Sequence, residues 1–137
     1  MEQRKEIAVE KFKKGYNCCQ AVACTYCESF GVKEEDVFRM TEGFGSGMGG
    51  LKDTCGAVTG MFLTLSLANS AGDMTQPKLT KMDTYAKFQA AAAKFKEKHP
   101  SIYCRDLLTD KGQQPVHCCI RCVEDAAEIV DEFLKDM

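Results

Sequence analysis

Nine of the 137 residues are cysteine, a high share for one chain, and an odd count cannot be paired completely into internal disulfides. Cysteine is the residue type here with the widest chemistry, because its thiolate is a nucleophile, a redox group and a soft metal ligand. The spacing singles out Cys55. It precedes Gly56-Ala57-Val58-Thr59-Gly60 at the expected start of a helix, where unpaired backbone N–H groups and the helix dipole stabilise a thiolate and lower its pKa. Glycines before it let backbone amides crowd the sulfur. Gly56, Ala57 and Gly60 leave one side of the helix bare, open either to a partner or cofactor or to tight helix packing.

Other patterns carry less. Cys24-Thr25-Tyr26-Cys27 and Cys119-Ile120-Arg121-Cys122 satisfy CxxC, but both fall inside helices and lack the Gly or Pro turn of a zinc knuckle. Neither follows a strand, as a thioredoxin-like dithiol does, and neither is followed by the histidine of a haem attachment site. Gly45-Ser46-Gly47-Met48-Gly49-Gly50 matches GxGxxG, yet it follows a helix and has no βαβ unit around it. The acids Glu34-Glu35-Asp36 and Glu124-Asp125 read as helix starts or solvated faces, and His99 and His117 are expected at the surface.

The elements that must position these cysteines are all helical. Ile7, Ala8, Phe12 and Tyr16 recur at helical spacing and predict a helix over 2–14, ended by Gly15. Asn17 caps a second helix that places Cys18 in its first turn and closes at Gly31. Residues 33–41 form a third, opening on three acids and turning Val37, Phe38 and Met40 inward. The segment from Gly43 to Gly50 holds too few side chains for regular structure and predicts a loop of unusual path. Asp53 or Thr54 caps the next helix, which runs to about Ser70 and packs through Val58, Met61, Phe62 and Leu65. Pro77 opens a long helix to about Lys98, with Met82, Tyr85, Phe88, Ala92 and Phe95 in register and Pro100 ending it. Ser101 caps a short helix holding Cys104, Leu107 and Leu108, and 109–115 is a polar linker. The last helix, about 117–137, aligns Cys119, Cys122, Val123, Ala126, Val130 and Phe133 on one stripe.

No stretch alternates with a period of two and no repeat of 20 to 50 residues occurs, which disfavours sheets and solenoids. The expected fold is all-α: one compact domain over 1–137, a bundle of about five to six helices with the glycine-rich loop before its central helix. A net charge of −2 and a pI near 5.7 offer no basic stripe, so nucleic acid is not an expected partner. The longest apolar stretch, 57–71, is interrupted by polar residues and too short to span a bilayer, so no membrane insertion is expected. The charged first fourteen residues lack a signal-peptide core and point to the cytoplasm.

The run Cys55-Gly56-Ala57-Val58-Thr59-Gly60 resembles the signature of the C_GCAxxG_C_C family. The segments 17–22, 43–49, 104–108 and 119–123 follow the same family in order and spacing, so the resemblance covers nearly the whole chain. By position it implies Cys18, Cys55, Cys104 and Cys119 as the characteristic cysteines, with Cys19 and Cys118 as neighbours of two of them. It implies redox activity without an assigned substrate, and a similar domain in split-Soret cytochromes holds an iron–sulfur cluster on cysteines. Cys19, Cys24, Cys27, Cys118 and Cys122 are additions to the pattern, either extra ligands, resolving thiols or small core residues.

Two functions are carried forward. In the first, Cys55 is a low-pKa thiolate exchanging electrons or disulfides with Cys18, Cys104 or Cys119, serving a redox partner protein or a small thiol. In the second, the same four cysteines ligate an iron–sulfur cluster or metal, with Gly45, Gly47, Gly49 and Gly56 as the backbone around the cofactor. A structural module, dimeric through Gly56 and Gly60, is the third.

Overall fold

The computed structural model describes residues 4–108 and 115–137, with side chains of the last helix from 119 onward. The longer helices are α1 (Lys5–Lys13), α2 (Cys18–Tyr26), α3 (Glu34–Thr41), α5 (Gly56–Asn69), α6 (Lys81–Lys96) and α8 (Pro115–Lys135). Between them lie two short pieces, α4 (Gly45–Met48) and α7 (Cys104–Leu108). Among the described residues there is no sheet. No helix among them is long and apolar enough to cross a membrane. The fold is all-α and compact, as the periodicity indicated.

Helix α2 is buried on nearly every side and lies against α5. Two glycines of α5 make that approach possible: a Cβ at Gly60 would stand 2.7 Å from the Cys19 carbonyl oxygen, and one at Gly56 would stand 3.1 Å from the Cys19 nitrogen. The small-residue face of α5 is therefore used inside the fold, so Gly56 and Gly60 present nothing to a second copy. Helix α8 packs on α1, α2 and α5. Its Ala127 carbonyl and Asp131 carboxylate both accept the Tyr26 hydroxyl, at 2.9 and 2.8 Å, and Asp131 also takes the Arg4 amide at 2.9 Å. One core gathers Val22, Val58, Met61, Leu65, Phe95 and Val123, while a smaller cluster of Ala23, Cys24, Cys27 and Val37 lies between α2 and α3.

Several sequence expectations change. Ile7 and Met40 are exposed, and α1 instead packs through Ala8, Val9 and Phe12. The long helix starts at Lys81 rather than Pro77, because the Asp73 carboxylate accepts the amide and hydroxyl of Thr75 at 2.9 and 2.6 Å and locks the preceding residues into turns, a local alternative to helix. Its buried positions are Thr84, Ala91 and Phe95, so Met82 and Tyr85 point to solvent. His99 is not a surface residue: its ring stacks on Phe95 at 4.3 Å and Nε2 meets the Asp125 carboxylate at 2.7 Å. The linker expected over 109–115 falls, all but Pro115, outside the described residues, and so do the side chains of His117 and Cys118.

Candidate functional site

A cavity of about 310 Å³ opens between the start of α2, the start of α5, α7 and the first half of the described part of α8. Cys18, Cys55, Cys104, Cys119 and Cys122 all line it. Each is placed by a local device. Asn17 caps α2 by accepting the Gln20 amide at 2.9 Å, while the Gln20 side chain accepts the Asn17 amide at 2.9 Å, a reciprocal capping box that fixes the first turn and Cys18 with it. The Asn17 amide group also donates to the carbonyls of Thr41 and Glu42, tying that turn to the end of α3.

Cys55 and Cys104 are clamped to each other's segments. Cys55 donates its amide to the Ile102 carbonyl and Cys104 donates to the Asp53 carbonyl, both at 2.7 Å, forming an isolated antiparallel bridge at Thr54 and Tyr103. The glycine loop wraps this bridge. Gly47 has φ +67°, and a Cβ there would meet the Cys104 Cβ at 2.6 Å and the Asp53 nitrogen at 2.8 Å, so only glycine fits. Lys52 also sits in the left-handed region, at φ 59°, and lines the cavity. Cys119 and Cys122 stand three residues apart on α8 and so share one face.

The sulfurs are engaged in two pairs, Cys18 with Cys119 and Cys55 with Cys122. Cys119, the only cysteine among the described residues that is not buried, is lowered to about 7 from the ordinary 9.0. The hydrogen bond with Cys18 is the main cause, burial opposes it, and the Lys52 charge adds to it. Cys18 is correspondingly pushed up by that shared proton and by burial. Cys55 is lowered mainly by its hydrogen bond with Cys122, against its burial, with help from the Val58 and Ala57 amides. Cys55 stands at the N-cap position of α5. A thiol–thiolate hydrogen bond inside a cavity of low polarity stabilises one negative charge per pair.

The four cysteines singled out by the sequence are thus brought to one cavity, and Gly47 and Gly56 line it with them. Gly45 and Gly49 do not: Gly45 packs on the Asn17 side chain, and Gly49 shapes the turn beside the Gly43 carbonyl. Cys122 and Lys52 are the residues that sequence reasoning left out of the site. Cys122 was detectable as the residue one turn beyond Cys119, whereas nothing local marks Lys52. Cys19, Cys24 and Cys27 are buried away from the cavity. The donors suit a soft metal or cluster in type, but among the described residues no three His, Cys, Asp or Glu side chains are gathered as a ligand group.

The family model described as "Putative redox-active protein (C_GCAxxG_C_C)" matches residues 16–133. An uncharacterized protein of Archaeoglobus fulgidus is similar to the chain, 29% identical over 144 residues that cover 98% of this chain and 95% of that protein. No solved structure matches it.

Proposed function

The chain belongs to the C_GCAxxG_C_C family of redox-active proteins, and from that premise we propose that it works by thiol–disulfide exchange at the five-cysteine cavity. The observation that carries this reading is the convergence of thiols from four helical segments on one cavity as two hydrogen-bonded pairs. Two-electron exchange needs an accessible thiolate and a second thiol within reach of the resulting mixed disulfide. Cys119 meets the first requirement and Cys18 the second.

In this reading the Cys119 thiolate attacks one sulfur of a substrate disulfide RS–SR, forming Cys119–S–SR and releasing RS⁻, which takes up a proton as RSH. Cys18, giving up its own proton, then attacks the Cys119 sulfur and expels the second RS⁻ as RSH. The balance is two protein thiols plus one disulfide giving one protein disulfide plus two thiols. Cys55, the nucleophile favoured by its helix start, is only 6% exposed and with Cys122 forms a second, inner dithiol that can be oxidised in turn through Cys119 or Cys18. Cys104 is held within the same cavity by the bridge to Asp53.

The test is a thiol count before and after mild oxidant, with peptide mapping of the bonds formed. Loss of thiols in twos, with Cys18–Cys119 joined first and Cys55–Cys122 second, is the expected result. A count that does not change overturns the proposal. The alternative, an iron–sulfur cluster on Cys18, Cys55, Cys104 and Cys119, is supported by the donor type alone, and iron with inorganic sulfide in anaerobically purified protein would replace the exchange reading by it.

A further inference from the structure

Resting on the exchange reading, the remaining question is what disulfide reaches Cys119. Cys18, Cys55, Cys104 and Cys122 are at most 8% exposed, and Cys119 lines the same cavity as its resolving partner Cys18, so the disulfide that the pair reduces is met at that cavity, whose size of about 310 Å³ matches a small molecule rather than the surface of a folded protein. Its walls carry Phe12, Leu107 and Leu108, and among the described lining residues Lys52 is the one charged side chain. Asp53 and Asp106 are near in sequence, but neither lines the cavity.

Lys52 is also held where it is. Its amide donates to the Ser46 carbonyl at 3.3 Å, and its own carbonyl accepts the Arg105 amide at 3.2 Å and the Arg105 guanidinium at 3.4 Å. Its left-handed backbone, unfavourable for a residue with a Cβ, is thereby fixed by the glycine loop on one side and α7 on the other. None of the ion pairs among the described residues uses the Lys52 ammonium group.

We propose that the substrate is a small anionic disulfide, one bearing carboxylates, whose negative group is held by Lys52 while its sulfur meets Cys119. The cation then serves twice, drawing in the anionic molecule and favouring the thiolate that attacks it. Lys52 is in this sense a binding residue rather than a participant in bond making. Exchange follows the balanced step above, with the carboxylate-bearing thiol as leaving group.

The reduced protein is mixed with three alkyl disulfides that differ in charge: 3,3′-dithiodipropionate (dianion), 2-hydroxyethyl disulfide (neutral) and cystamine (dication). Each rate is divided by that of a free small thiol with the same probe. The expected order is dianion, neutral, dication, with the dianion favoured over the neutral probe by about fivefold, the scale of one charge contact at a solvated site, and the preference shrinking as salt is raised. Lys52→Asn, which suits the left-handed backbone, and Lys52→Gln should both remove the preference. The ratio of two rates in one variant cancels any change in the thiolate fraction of Cys119. A preference absent from the unaltered protein, or unmoved by either substitution, overturns this proposal while leaving exchange intact. If none of the three probes joins Cys18 to Cys119, the exchange reading itself fails.

Discussion

Cys119 and Cys55 both release their protons more readily than an ordinary thiol, and in each case the main cause is a second cysteine that donates its S–H to the charged sulfur. The difference between them is access, because Cys119 is half-buried and Cys55 is not reachable without entering the cavity. A thiolate fraction that rises through about 7 makes Cys119 the fast-reacting cysteine at neutral pH. Alkylation of the Cys119 peptide by iodoacetamide, followed by mass spectrometry, should therefore inflect near pH 7. In Cys18→Ala the inflection should move up toward the ordinary thiol value, since the donated proton is gone and burial is opposed by the Lys52 charge alone. An inflection that stays in place would mean that Lys52, not Cys18, sets the titration.

Among the elements, the α2–α5 contact decides whether the cavity exists, since Cys18 begins one helix and Cys55 the other. Gly60→Ala inserts a methyl group where 2.7 Å separates it from a backbone oxygen that cannot rotate away. Urea unfolding should show a loss of about 1–3 kcal/mol, the usual cost of overpacking. The helices, and the cysteines that begin two of them, were legible because each carries its own signal: Asn17 with Gln20 for α2, the glycine-framed Cys55 for α5. The start of α6 was misread because proline at a helix start is a tendency, while the Asp73 carboxylate offers the chain a specific alternative. The partners of the thiols were not legible at all. Which sulfur meets which depends on how α8 lies across α2 and α5, a contact over about a hundred residues of chain with no local signature, and the same holds for Lys52 and for the burial of His99.

At the scale of the molecule, the remaining cysteines bear on how the fold responds to alkali. Burial pushes Cys19 and Cys24 up to about 12 from an ordinary 9.0. Both are protonated in either state below pH 9, so their contribution is fully present there. Between 9 and 12 the unfolded chain loses these protons while the folded one keeps them, and stability falls. Thermal midpoints should decline over that window, and less steeply in a variant with Cys24 replaced by Ala; a flat profile would mean these thiols titrate alike in both states. The order of the paired cysteines along the chain carries a different consequence. Position 55 lies between 18 and 119, whereas 122 lies beyond both, so joining the two pairs would make two closed loops that overlap along the chain rather than nest. Each loop restricts the unfolded chain, by about 4–5 kcal/mol for one of roughly 100 residues in the chain-entropy account. Because the two loops overlap, the second bond closes on a chain that the first has already shortened, and an oxidised chain that has opened stays far more compact than a reduced one. Redox state would then govern not only what the protein reacts with but how far its chain can spread once it opens.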